Sequence, residues 1–135
     1  MNLHVYVGGA RCELARVERF IERCRFAGHV VTHDWTQFAR EREHVLRYAH
    51  EPPMTNEQRH AAWKASLDGI SEANVCVFLA PREGVTRGMW AEIGAAQAVG
   101  EVPIYVGRDD DSIVTSMCNV VDSDDDAFAA LLEVA

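Results

Sequence analysis

One carboxylate in this sequence lies among residues that cannot easily solvate it. Glu92 shares a face of a predicted helix with Gly88, Ala95, Ala96 and Val99, at spacings of three, four and seven residues. If this carboxylate is buried, a partner, a pKa shift or a bound ligand must offset its desolvation. Two explanations are open: a core glutamate bonded to an amide or an arginine, or a group that does chemistry.

The histidines and cysteines do not form a metal-binding pattern. His29 and His33 are four residues apart on a predicted strand, which separates them by about 13 Å. Neither HExxH nor a paired Cys/His spacing occurs, and no Ser-His-Asp arrangement can be assigned. The cysteines are scattered without a CxxC pair, and three of them lie in apolar patterns typical of reduced core thiols.

The N-terminal third predicts a βαβ unit. Residues 3–7 are rich in β-formers and are followed by Gly8-Gly9, after which an amphipathic helix runs to Gly28. Residues 29–33 form the second predicted strand. A strand, a helix and a strand within about 35 residues imply a parallel sheet with a right-handed crossover.

The rest of the chain continues this alternation. A helix is predicted over residues 55–71, capped by its first threonine, and the apolar run 75–80 is typical of a central parallel strand. The helix that carries Glu92 follows, and then a strand over 101–106. A short strand at 120–121 and a final helix that begins with three aspartates complete the domain.

Residues 35–55 fit this alternation least well. Their apolar positions form no clean stripe, and Pro52-Pro53 interrupts the chain. We predict a mobile helical excursion after strand two, where lids over ligand sites are common.

Composition limits the class of protein. The chain has 135 residues, 48% of them apolar, which indicates a single globular domain over residues 1–135. No apolar run approaches the roughly 18 residues of a membrane span, and no secretion signal is apparent, so we expect a cytoplasmic protein. The net charge of −8 argues against broad binding to nucleic acid or membranes. An anionic small ligand remains possible, because backbone amides and an arginine can override the net field locally.

These elements predict one doubly wound α/β domain, flavodoxin-like or Rossmann-like, with a parallel sheet of about five strands. Ligands of such sheets bind beyond the carboxyl ends of the strands, where the strand order reverses. The loops at residues 8–12, around Trp35 and at 81–88 should converge there. Glu92 lies near the start of the helix after the third loop.

Four segments of the sequence carry a resemblance to a known family. They are Tyr6-Val7-Gly8-Gly9, Gly28-His29-Val30-Val31, Gly69-Ile70-Ser71-Glu72-Ala73-Asn74-Val75 and Gly88-x-x-x-Glu92-x-Gly94-x-Ala96. Together they resemble the nucleoside 2-deoxyribosyltransferase family, which includes N-glycosidases of nucleoside 5′-monophosphates. The resemblance covers about residues 3–107, and its most specific part is the GxxxExGxA helix followed by a strand.

The resemblance implies that Glu92 is the nucleophile. Cleavage of an N-glycosidic bond passes through an oxocarbenium-like state, which a carboxylate below the anomeric carbon can trap as a covalent intermediate. Small residues such as Gly88 would let a sugar approach the helix closely.

The resemblance also implies a phosphate site. Six residues before the nucleophile the transferases have an aspartate and the monophosphate hydrolases a serine; this chain has Thr86. The loop Gly8-Gly9-Ala10-Arg11 is similar to the hydrolases' phosphate-binding turn, in which amides and a guanidinium hold the anion. The alternatives are a turn, a solvated arginine and a helix N-cap.

The chain departs from the family at one residue, the acid that assists proton transfer to or from the nucleobase. Three residues before Gly69 the family has an aspartate, where this chain has Ser66. Asp68 could substitute, although it lies about 200° further around the helix, or another acid such as Glu83 could. Leaving-group protonation is therefore unassigned.

Four further residues are candidates for the site. In the family a tyrosine near Tyr6 contacts the nucleophile, although a buried structural tyrosine explains this residue equally well. Trp35 and Met89 are candidates for stacking on a base, and Asn119 for reaching into a neighbouring subunit's site.

The leading hypothesis is N-glycosidic cleavage or transfer on nucleosides or nucleoside 5′-monophosphates, without a metal or organic cofactor and in at least a homodimer. The first alternative is a nucleotide-binding sensor or interaction module that has lost catalysis through Ser66. The second is an NAD glycohydrolase, because the predicted fold is similar to TIR-type domains.

Overall fold

A parallel sheet is the centre of the fold. The computed structural model describes residues 2–48, 54–108 and 112–134, and within them five strands pair in the order β2-β1-β3-β4-β5, all parallel. This order confirms the predicted doubly wound, flavodoxin-like class. The strands are β1 (His4–Gly8), β2 (Val30–Val31), β3 (Val75–Leu79), β4 (Ile104–Val106) and β5 (Asn119–Val121).

The predicted central strand is confirmed in its position. Every residue of β3 is buried, because helices cover both of its faces. It pairs with β1 on one side and β4 on the other. The chain leaves β1 to add β2 on one side and returns to add β3 on the other, so the order reverses between β1 and β3.

Helices cover the two faces of the sheet in pairs. Side chains of α1 and α5 pack on one face, and those of α3 and α4 pack on the other. Helix α2 follows β2 and contacts α1. The helices are α1 (Leu14–Phe26), α2 (Trp35–Tyr48), α3 (Asn56–Glu72), α4 (Arg87–Ala98) and α5 (Asp124–Val134), with 3-10 turns at Arg11–Glu13 and Thr115–Met117.

The alternation of side chains along β1 sends one tyrosine toward the α3 and α4 face. Val5 and Val7 point into the core below α1 and α5. Tyr6 lies between them in sequence and therefore points to the opposite core, where it packs with Phe78 and Ile93.

Two predicted strands are shorter than expected. The second covers only Val30–Val31, whereas residues 29–33 were expected to be extended. The fourth begins at Ile104 rather than at residue 101. Pro103 has no amide proton, so the ladder of donors on this strand begins after it.

The segment after β2 forms a regular helix up to Tyr48. Residues 49–53, which include the proline pair, lie outside the described residues, and the predicted lid stays a prediction. Helix α3 begins with the expected cap, since Thr55 and Gln58 form a reciprocal capping box. Within the described residues, no helix combines the length and apolarity that crossing a membrane requires.

Candidate active site

Tyr6 and Glu92 meet between the sheet and α4. Thr86 begins α4 by accepting a hydrogen bond from the Met89 amide at 3.3 Å, which puts Glu92 in the second turn of the helix. The Tyr6 side chain is almost completely buried, and its hydroxyl donates a hydrogen bond to Oε2 of Glu92. Two residues 86 positions apart in sequence therefore form one polar pair.

Burial controls the ionisation of this pair. It raises the pKa of Glu92 to about 7, and the hydrogen bond from Tyr6 partly opposes that rise. Burial, and then the neighbouring Glu92 charge, raise the pKa of the Tyr6 hydroxyl, which stays protonated and able to donate. Near neutral pH the carboxyl of Glu92 is consequently present in both its ionised and its protonated form.

Ser66 extends the pair toward α3. A hydrogen-bonding contribution from its hydroxyl lowers the pKa of Tyr6. Helix α3 comes this close to the sheet because it has a glycine at the contact. A Cβ on Gly69 would lie 2.8 Å from the Cβ of His33 and 3.2 Å from Cδ2 of Tyr6. The Thr32 hydroxyl also donates to the carbonyl of Gly69 at 2.7 Å.

A cavity of about 370 Å³ adjoins Ser66, between α2 and α3. The Trp35 indole forms part of its wall and is held in place because its Nε1 donates to the carbonyl of Val7 at 2.8 Å. The cavity therefore lies beside the carboxyl end of β1, next to the point where the strand order reverses. Its lining includes His33, Trp35, Phe38, Gln58, Ala62 and Ser66.

The predicted glycine-rich turn has a clear packing role. A Cβ on Gly8 would lie 2.4 Å from the Phe78 ring, and one on Gly9 would lie 2.3 Å from a methyl group of Val17. Both positions therefore require glycine whether or not a ligand binds there. Ala10 is buried, and Arg11 lies exposed in the 3-10 turn that precedes α1.

Other sequence-predicted residues do not join the Tyr6–Glu92 pair. Asp68 is exposed on α3 and forms an ion pair with Lys64 at 2.8 Å, so it points away from the site. Met89 is a core residue, 1% exposed, and has no free surface on which a base could stack. Asn119 is exposed on β5.

The small-residue stripe around Glu92 is only partly buried. Ala96 is buried and Ala95 is partly buried, whereas Val99 is 55% exposed. Gly88 is exposed, and a Cβ there would have no atom within 4 Å. The first turn of α4 therefore borders open space beside Glu92.

Sequence reasoning missed His33 as a site residue. The residue lies two positions after the end of β2 and lines the cavity that Ser66 also lines. Burial lowers the pKa of its imidazole, and the adjacent Asp34 partly opposes this. The sequence did offer one indication of this role: His33 is two residues before Trp35, just after a predicted strand, where ligands of such sheets bind.

Arg16 was also missed. Its guanidinium donates to Asp124 at 2.7 Å, to Glu13 at 2.7 Å and to the carbonyl of Ala80 at 2.8 Å. This network stands beside a larger cavity of about 1100 Å³ at the carboxyl ends of β3, β4 and β5, which neither Tyr6 nor Glu92 lines. No local pattern could reveal it, because Asp124 is 108 residues from Arg16.

The described residues contain no group of three or more His, Cys, Asp or Glu side chains arranged to hold a metal ion. The pair of Tyr6 and Glu92 offers one carboxylate and one phenol, a combination that can transfer a proton or attack an electrophilic carbon as a nucleophile.

Fold and site together define a doubly wound α/β domain with a buried carboxylate on the helix that follows the central strand. The solved structures that share this fold include the CMP N-glycosidase BcmB of Clostridium botulinum, with a TM-score of 0.56 and 17% sequence identity. The alignment covers 98% of this chain and 99% of that chain. No family model matches the sequence, and no curated protein sequence matches it. The likeness shows that the two chains share one doubly wound fold.

Proposed function

We propose that this protein cleaves or transfers the N-glycosidic bond of nucleosides or nucleoside 5′-monophosphates, with Glu92 as the nucleophile. The observation that carries the proposal is the Tyr6–Glu92 pair, in which a partly buried carboxylate with a pKa of about 7 lies on the helix that follows the central strand. The fold shared with a CMP N-glycosidase supports the same reaction class.

The proposed reaction has two steps. The ionised carboxylate of Glu92 attacks the anomeric carbon as the bond to the base breaks, which forms a glycosyl ester. Water then hydrolyses the ester, or a second base takes the sugar. Tyr6 orients the carboxylate and favours its ionised form through the hydrogen bond to Oε2.

A 5′-phosphate would lie against the starts of α1 and α4. Arg11 is exposed and has no ion pair among the described residues, so its guanidinium is available to an anion. The Thr86 hydroxyl accepts a hydrogen bond from the Met89 amide, and its own proton remains available for donation to a phosphate. Both residues follow the strands β1 and β3, between which the strand order reverses.

The test is a panel of ribo- and deoxyribonucleosides, their 5′-monophosphates and NAD, with release of free base followed by chromatography. We expect base release from nucleosides or monophosphates, and a loss of about 100-fold or more in Glu92→Gln, which keeps the shape and loses the nucleophile. Glu72→Gln, an exposed glutamate on α3, is the matched control. Equal rates in wild type and Glu92→Gln would remove Glu92 from the mechanism.

The second candidate function is nucleotide binding without cleavage, which the serine at position 66 favours. In that case monophosphates should raise the melting temperature of the protein while no base appears. Ser66→Asp, which installs an acid beside Tyr6, should then create measurable base release.

We also propose a homodimer or higher homo-oligomer, as the family resemblance implies. Phe26, Ile113 and Leu132 are each more than half exposed, which leaves apolar surface for an interface to cover. Light scattering after size-exclusion chromatography measures the assembly directly, and a monomer at micromolar concentration would contradict the proposal.

A further inference from the structure

The proposed reaction needs a proton that no carboxylate near the site supplies. A nucleobase leaves as an anion unless its ring nitrogen or an exocyclic oxygen is protonated as the bond breaks. Ser66 is the α3 residue beside Tyr6, and a serine is too weak an acid for this role. Asp68 points away and pairs with Lys64.

His33 is the candidate for the missing proton donor. It lines the cavity of about 370 Å³ together with Ser66, and Ser66 in turn interacts with the Tyr6 hydroxyl that binds Glu92. Ser66 thus connects the hydrogen-bond partner of the nucleophile with the cavity that the imidazole lines. The imidazole makes no hydrogen bond or ion pair with any side chain in the described part of the chain, so its nitrogens are free for a ligand.

The backbone fixes where the imidazole lies. The Cβ of His33 lies close to Gly69: a Cβ added to this glycine would be only 2.8 Å away from it. The preceding Thr32 is bonded to the same glycine's carbonyl at 2.7 Å. His33 is therefore held against α3 by two contacts that do not involve its ring.

The cavity has the chemistry of a nucleobase site. Its polar lining is small, and its walls are the Trp35 indole, the Phe38 ring and the methyl group of Ala62. An indole is a suitable surface for a flat heteroaromatic ring. Gln58 uses its Oε1 to accept the Thr55 amide, which leaves its NH₂ group as a donor.

We propose that this cavity holds the leaving base and that His33 is the general acid that protonates it. The inference rests on the proposed function. It assigns to His33 the task that the family gives to an aspartate on α3.

The bonds and protons balance. The C1′–N bond breaks while Oε of Glu92 forms the C1′–O bond, and the imidazolium of His33 transfers its proton to the departing base. Neutral His33 then accepts a proton from the water that attacks C1′ of the ester. The products are a free sugar or sugar phosphate, a neutral base and the ionised Glu92.

Burial outweighs the charges around His33 and lowers the pKa of its imidazole, so the neutral form predominates at neutral pH and the imidazolium that the step needs is the minority form. Asp34 follows it in the chain and favours the imidazolium, but Arg25 binds this carboxylate at 3.2 Å and weakens its effect. Burial acts in the other direction. From β1 the facing group is the protonated Tyr6, and α3 presents uncharged Ser66 and Gln58.

The experiment compares His33→Gln with wild type on two leaving groups. The first is the nucleoside or monophosphate that wild type cleaves best, and the second is a 4-nitrophenyl riboside, whose phenolate leaves without a proton. We expect His33→Gln to lose about 100-fold or more in kcat on the first substrate and less than about threefold on the second. His60→Gln, an exposed histidine on α3, is the control and should match wild type on both.

The pH profile gives a second readout that a structural role would not change. Wild type needs ionised Glu92 and protonated His33, so kcat should fall on both the acid and the alkaline side. In His33→Gln the alkaline fall should disappear and kcat should level off above about pH 8, one unit past the pKa of Glu92. This profile decides the matter if wild type does not accept the nitrophenyl substrate.

The outcomes separate the two proposals. An alkaline fall that persists in His33→Gln, or equal losses on both leaving groups, overturns the role of His33 and leaves Glu92 as nucleophile. Wild type that releases no base from any substrate overturns the proposed function and this inference together.

Discussion

Removing the Tyr6 hydroxyl should move the titration of Glu92 to higher pH. In Tyr6→Phe the carboxylate stays buried but loses the hydrogen bond that lowers its pKa. A hydrogen bond to a charged group contributes about 1.5–3 kcal/mol, and one pKa unit corresponds to about 1.36 kcal/mol. The pKa of Glu92 should therefore rise from about 7 by about one to two units.

Two measurements follow this shift. Carbon NMR of the protein with ¹³C-labelled glutamate side chains reports the titration directly, with Glu92→Gln to assign the signal. In the activity assay the acid side of the pH profile should move by the same amount. At pH 7 base release should fall about five- to fiftyfold, because the ionised fraction of Glu92 falls from about half to between about a tenth and a hundredth.

A second buried tyrosine supplies the control. Tyr105 is 3% exposed, and it does not contribute to the pKa of Glu92. Tyr105→Phe should therefore leave the Glu92 titration where it is in wild type. A Glu92 pKa that is the same in Tyr6→Phe and wild type would refute the reasoning, because the hydrogen bond would then not favour the ionised form.

Three further predictions concern the free energy of unfolding, measured by chemical denaturation. The folded state holds the Glu92 proton up to about pH 7 and the unfolded chain only to about 4.5, so stability is lost as pH rises through this window. Glu92→Gln should therefore stabilise the protein by about 3 kcal/mol at pH 8 and have little effect at pH 4. Arg16→Met leaves two carboxylates without their partly buried partner and should cost about 1–3 kcal/mol, whereas the exposed pair broken by Lys64→Met should cost less than about 0.5 kcal/mol. Gly69→Ala should cost about 1–3 kcal/mol because its Cβ would lie 2.8 Å from the Cβ of His33. Gly94→Ala, with open space around it, should instead stabilise α4 by about 0.5–1 kcal/mol.

Each of these comparisons has an outcome that would count against it. A stabilisation by Glu92→Gln that is equal at pH 4 and pH 8 would mean that burial of the charge is not its cause. Equal costs for the Arg16 and Lys64 variants would mean that the buried network adds nothing beyond a surface pair. A neutral Gly69→Ala would mean that α3 can move away from the sheet at no cost.

Much of the fold could be predicted from local patterns. A strand buried on both faces reads as a continuous apolar run, and β3 was found in this way. Helix α3 was predicted from its capping residue, and Thr55 does cap it. The length of β4 was not predicted, because the end of a strand depends on which neighbour supplies its hydrogen-bond partners.

The candidate site was only partly predictable. Glu92 was recognised because a carboxylate on a face of small residues is unusual within its own helix. Met89 was misjudged for the same kind of reason: one helix turn does not tell which side faces the sheet, and the side chain is in the core. His33 drew attention only as a possible metal ligand, since its neighbours in the cavity come from α2 and α3.

The sequence by itself determined the order of strands and helices, the parallel class of sheet and the presence of one carboxylate in need of a partner. These properties follow from periodicity and capping, which act over a few residues. Only the tertiary structure decided which groups meet that carboxylate. Tyr6 reaches Glu92, and Ser66 brings His33 into the same neighbourhood, because the chain reverses its strand order between β1 and β3 and because Gly69 lets α3 approach the sheet. Such contacts join residues far apart in sequence, and no local pattern encodes them.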